Sequence, residues 1–252
     1  FPVSAIVQMK DGKEFYGENF GFNKDIIGEV IFNTSMVGYQ EVLSDPAYCD
    51  KIVCMSYPII GSYGLADEDY DPKNIRVKGY IVKEYNDMPS NFRSTRIFGE
   101  ALEDNGVVGI SNIDTRAIVR MIRNEGIMKA MICEANKPTE ECLKEIKTYE
   151  QKENLVSKVS CKKMWYSRTT NPIATILVVD CGVKTSLIKE LSENGFNVIV
   201  CPYNTTKDQI LRQKADGIII SNGPGNPNDN EEVISLVKEL KGKLPILGLG
   251  LG

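Results

Sequence analysis

The period of the apolar positions changes once, near the middle of the chain. Residues 1 to about 150 hold short β-type runs separated by turn residues. Ser4-Ala5-Ile6-Val7-Gln8-Met9, the Asp11-Gly12 turn and Glu14-Phe15-Tyr16-Gly17 together predict a hairpin. Val30-Ile31-Phe32, Lys51-Ile52-Val53-Cys54-Met55 and Val77–Val82 predict further strands. Two helical stretches follow, Ser94–Leu102 and Thr115–Arg123. In the second, Ile118, Met121 and Ile122 share a face, Arg116, Arg120 and Arg123 lie largely off it, and Gly126 supplies a stop signal. Those arginines read as a solvated face or as a functional one with equal weight.

Residues 151–172 are polar and rich in turn formers, and read as a linker. From Ile173 to Gly252 strands and helices alternate strictly. Ala174–Asp180 is an apolar run of the kind buried on both faces of a parallel sheet. Lys184–Asn194 reads as a helix closed by Gly195, and Asn197–Cys201 as the second strand. Thr206–Lys214 follows as a helix capped by Thr205 or Thr206, then Gly217–Ser221 as a strand, Glu231–Lys241 as a helix and Pro245–Gly248 as a fourth strand. The expected fold class is therefore α/β, with a β-rich α+β domain over residues 1–150 followed by a doubly wound parallel sheet. Ligands of such sheets bind at the carboxyl ends of the strands, where both glycine-rich turns fall.

Composition narrows the function classes. The 252 residues are 42% hydrophobic and 25% charged, as in a soluble globular protein, with a net charge of −4. The absence of any long basic cluster argues against nucleic acid as a partner. No apolar run approaches the roughly 18 residues needed to span a bilayer, and no signal-peptide pattern opens the chain, so a membrane partner is not expected. The seven cysteines are scattered and no C-x-x-C occurs. They read as free thiols in a reducing cytoplasm, with no metal site.

Chemistry concentrates in two turns. Ser221-Asn222-Gly223-Pro224-Gly225-Asn226-Pro227 is a tight loop whose backbone N–H groups suit an oxyanion or a carboxylate-bearing ligand. Gly248-Leu249-Gly250-Leu251-Gly252 has the form of a strand-to-helix elbow that holds a nucleophile at its centre. Here the centre is Gly250, and the chain contains no histidine, so neither a Cys-His nor a Ser-His pair can form within it. A dinucleotide fingerprint is a weaker reading of the elbow, because that motif belongs on the first βα turn rather than after the fourth strand.

Together these two turns resemble the class I (triad) glutamine amidotransferases, which show G-x-C-x-G-x-Q at the second. Gly28–Thr34, Gly38-Tyr39-Gln40-Glu41, Asp45-Pro46-Ala47-Tyr48, Asn91-Phe92-Arg93 and Ile113-Asp114-Thr115-Arg116 resemble the small subunit of carbamoyl phosphate synthetase, as does Val179–Lys184. The resemblance covers the whole chain. It implies that a Cys at position 250 would attack the glutamine amide, forming a glutamyl thioester and releasing ammonia, after which a His-activated water completes hydrolysis. It further implies that backbone around Gly223 and Leu251 forms the oxyanion hole, that Gly223 and Gly225 line the glutamine site, and that the loop bearing Ala47 reaches over the same pocket. The implied partner is the large synthetase subunit, which would hold ATP and Mg, with no cofactor in this chain. Gly250 departs from the pattern, and the family's His and Glu would lie beyond Gly252, so the parent polypeptide is expected to continue. The alternative is a catalytically dead pseudo-glutaminase that binds and regulates the synthetase. The sequence does not distinguish arginine from pyrimidine synthesis.

Overall fold

The structure is a computed structural model that describes residues 4–36, 38–65, 75–90, 96–151 and 154–252. The chain divides into two compact units, Phe1–Glu150 and Gln151–Gly252.

In the first unit, β1 (Ser4–Met9), β2 (Glu14–Asn19) and β3 (Ile26–Asn33) precede α1 (Tyr39–Ser44). Next come β4 (Ile52–Met55), β5 (Ile59–Ile60), β6 (Gly79–Ile81), β7 (Glu84–Tyr85), α2 (Phe98–Asp104) and β8 (Val108–Ser111). The unit ends with α3 (Thr115–Glu125), β9 (Met128–Glu134) and α4 (Thr139–Thr148). Strands close into a barrel in the order β1-β2-β8-β6-β4-β3-β9. The expected hairpin pairs Val7 with Phe15 and Ala5 with Gly17.

Strand alternation sets the core. Ala5, Val7 and Met9 of β1 and Met128, Ala130 and Ile132 of β9 share one cluster with Ile118, Met121 and Ile122 of α3. The intervening Ile6, Met131 and Cys133 pack instead against Cys142 and Ile146 of α4. Asp114 caps α3 by accepting from the Ala117 N–H at 3.0 Å, and the Gly126 N–H closes it on the Ile122 carbonyl. Arg116, Arg120 and Arg123 are exposed. The helix expected over Ser94–Leu102 begins only at Phe98, because Arg96 is extended and bridges Leu65. Ser94 and Thr95, like Asn91-Phe92-Arg93, lie outside the described residues.

The second unit contains α5 (Leu155–Val159), β10 (Trp165–Ser167), β11 (Ala174–Asp180), α6 (Thr185–Glu193) and β12 (Phe196–Pro202). It continues with α7 (Lys207–Arg212), β13 (Gly217–Ile220), α8 (Glu231–Leu240) and β14 (Ile246–Gly248). The sheet order is β10-β12-β11-β13-β14, parallel except for β10. The reading of 151–172 as a linker is corrected here. That stretch carries α5 and supplies β10, which pairs with β12 at the sheet edge. Thr206 provides the α7 cap in a full capping box with Gln209.

The direction in which strands are added across the sheet reverses after β12. With right-handed crossovers, the step from β11 to β12 and the later steps toward β13 and β14 must place their helices on opposite faces. The packing agrees. Ile188 of α6 joins Val178, Val198 and Val200, whereas Ile210 of α7 and Val233, Leu236 and Leu240 of α8 join Leu177 and Val179. The sheet is doubly wound, and a crevice is expected where the loops after β11 and β13 diverge.

Candidate functional site

Asp180, the last residue of β11, organises one wall of that crevice. It is 5% exposed, and its Oδ1 accepts from the N–H groups of Gly182 (2.9 Å) and Val183 (2.8 Å). Its Oδ2 accepts from the Cys161 N–H at 2.7 Å. The carboxylate thus folds the strand-to-helix turn onto itself and ties it to the segment before β10.

The Ser221 loop forms the other wall. The Ser221 Oγ is fully buried, accepts from the Cys181 N–H at 2.9 Å and donates to the Asn222 carbonyl at 2.9 Å. Gly223 then passes so close to β11 that a Cβ there would lie 2.0 Å from the Cys181 carbonyl oxygen and 3.2 Å from Leu251 Cδ2. Gly223→Ala is therefore expected to destabilise this unit by about 3 kcal/mol, since the obstacle is backbone rather than a movable side chain. Denaturant unfolding followed by fluorescence of the single tryptophan, Trp165, checks this, and an unchanged midpoint would refute the close approach.

The elbow lies against the same loop. Its Leu249 N–H donates to the Ile220 carbonyl at 3.0 Å, and its Gly252 N–H to the Leu249 carbonyl at 3.0 Å. A Cβ on Gly248 would meet the Gly252 oxygen at 2.4 Å, and one on Gly252 would meet the Ile220 oxygen at 2.4 Å. Gly250 differs from both. It is exposed, has φ +58°, and a Cβ there would touch only Asn222, at 3.2 Å from its Cβ. The flanking positions exclude side chains for want of space, whereas the central one admits a side chain at the cost of a left-handed backbone. That pattern is the one a nucleophile elbow requires.

Of the residues singled out in the sequence, Gly223, Gly250 and Leu251 are brought together, and Gly225 sits two residues along the same loop in a left-handed conformation (φ +88°). The N–H groups of Gly223 and Leu251 have no acceptor among the described residues, so two donors remain available to a ligand. Ala47 belongs to the first unit, in a 3-10 turn (Pro46–Tyr48) where its N–H donates to Asp45 Oδ1 at 3.0 Å.

Cys181 and Cys201 are core thiols. Burial, reinforced by the charge of Asp180, pushes the first up to about 12, and burial pushes the second up to about 11. Neither is a usable nucleophile near neutral pH. Sequence reasoning placed Ser221 in the glycine loop and Asp180 in the family-like stretch Val179–Lys184 but assigned neither its part in building the site. The legible signal was an Asp ending an apolar strand two residues before Gly182, the pattern of a side chain that bonds the backbone ahead of it.

Comparison with known proteins agrees with this geometry. Residues 7–132 match the family described as carbamoyl-phosphate synthase small chain, CPSase domain, and residues 177–252 match glutamine amidotransferase class-I. The chain is 39% identical over 244 residues to the carbamoyl phosphate synthase pyrimidine-specific small chain of Halalkalibacterium halodurans, covering 97% of this chain and 67% of that protein. It is 41% identical to the carbamoyl phosphate synthase small chain of Bacillus caldolyticus, covering 97% of this chain and 66% of that protein. The pyrimidine-specific small chain of Bacillus subtilis is 42% identical, with 97% and 66% covered. The chain spans about two thirds of the length of these relatives. With a crevice at the carboxyl ends of a doubly wound sheet and these matches along nearly its whole length, the chain belongs to the carbamoyl-phosphate synthase small-chain family, residues 177–252 falling in its class-I glutamine amidotransferase region.

Proposed function

We propose that this chain serves as a glutamine-binding small chain of a cytoplasmic carbamoyl phosphate synthase, docking on a large synthetase subunit that binds ATP and Mg and consumes the ammonia. One observation carries the reading: the Gly223 loop and the Gly250–Leu251 elbow meet at the sheet's crevice with unengaged N–H donors. Such donors would hold the amide oxygen of glutamine where negative charge develops, a contribution of roughly 3 kcal/mol per donor in a closed site. Gly223 and Gly225 would line the substrate. Position 250 is glycine, so these residues bind and polarise the amide but supply no attacking group of their own.

Gly250 favours a second reading, a pseudo-glutaminase that regulates the synthetase through binding alone. Calorimetry with glutamine, paired with an ammonia assay, tests the glutamine site on which both readings rest. Saturable binding without ammonia release is expected, and Gly223→Ala should abolish the binding. Ammonia release by this sequence would overturn the assignment of position 250, and absence of glutamine binding would overturn the site.

A further inference from the structure

A second cavity opens at the carboxyl end of β12, apart from the glycine loops. Its volume is about 480 Å³, within the range of small-molecule sites. Lys162 and Lys163 approach from the segment before β10, Arg212 from the last turn of α7, and Asn204 and Thr205 from the loop that follows Pro202. Among the described residues no carboxylate lines it.

Charge makes this cavity unusual. The chain carries a net charge of −4, yet three cationic residues line one space. Lys163 and Arg212 form no ion pair among the described residues, and Lys162 Nζ donates only to the Ser157 carbonyl, at 2.9 Å. A multivalent anion is the ligand class that three cationic residues lining one cavity favour. Arginine adds a planar fork that fits two oxygens of one oxyanion, and the neutral amide and hydroxyl of Asn204 and Thr205 can bond the uncharged remainder of a ligand. Position agrees as well, because parallel α/β sheets present ligand sites at the carboxyl ends of their strands.

We propose that this groove binds a phosphate-bearing small molecule with two or more negative charges, held by Lys162, Lys163 and Arg212. The site is independent of the glutamine crevice, so it survives failure of the functional reading above.

Titration calorimetry with inorganic pyrophosphate, in metal-free buffer at low ionic strength, tests it. One saturable site is expected, weakening as salt is added. The double variant Lys163→Gln/Arg212→Gln should bind about tenfold or more weakly while its unfolding midpoint stays unchanged, because both side chains are exposed. Citrate should bind less tightly than pyrophosphate. Absence of a saturable site, an unaltered affinity in the double variant, or equal or tighter binding of citrate would each overturn the assignment.

Discussion

Asp180→Ala is expected to lower the stability of the second unit by about 4 kcal/mol, the largest stability loss of any substitution considered. Three N–H groups converge on this one carboxylate, and the residue is 5% exposed. Hydrogen bonds to a charged acceptor contribute roughly 1.5–3 kcal/mol each, and a buried donor left without an acceptor incurs its full desolvation cost. Cys161 and Val183 are only half-buried, so water recovers part of the loss there, whereas Gly182 is buried. Asp180→Asn separates geometry from charge. Its amide oxygen can still accept from Gly182 and Val183, but its NH2 group must then face the Cys161 N–H, donor against donor. A loss of about half that of the alanine variant is expected. Denaturant titration read by Trp165 fluorescence reports on this unit, which holds the chain's single tryptophan. A change below about 1 kcal/mol in the alanine variant would mean that the turn is held by something other than this carboxylate.

The second unit was largely legible in the sequence for a physical reason. A buried parallel strand must be apolar on both faces, so Ile176–Val179 and Ile218–Ile220 stand out as runs bounded by Asp, Gly and Ser. The barrel was less legible because closure depends on partners far apart in the chain. Val30 pairs with Met128, and Gly79 with Val108, and nothing local to either member announces the other. The segment 151–172 was misread because its elements are short and polar, and tertiary bonds rather than propensity order them. Ser160 Oγ accepts from the Tyr203 N–H at 3.0 Å, and Cys161 is tied to Asp180. In the site, the spacing of the glycines was readable but their separate reasons were not. Only coordinates distinguish Gly248 and Gly252, where a Cβ would run into backbone, from Gly250, where it would press only on the Asn222 side chain and the main obstacle is the left-handed backbone.

That distinction carries the prediction with the largest effect on reactivity. Gly250→Cys should fold, should lose roughly 1–2 kcal/mol to the left-handed φ, and should present the one fast-reacting thiol among the described residues. Six of the seven native cysteines are buried and Cys161 is half-buried. The Cys54, Cys133, Cys161 and Cys181 thiols are each pushed up to about 12 chiefly by burial. At pH 8 a thiol titrating near 12 is about one part in ten thousand thiolate, against roughly a quarter for an ordinary exposed cysteine. Iodoacetamide should therefore label position 250 at least about a hundredfold faster than any native site, as read by peptide mass spectrometry over time. Saturating glutamine should slow the labelling if substrate occupies the crevice in front of the elbow. Labelling no faster than that of the native thiols would mean that the turn does not present its central residue to a ligand, and the elbow would then have to be read as an ordinary strand-to-helix connection.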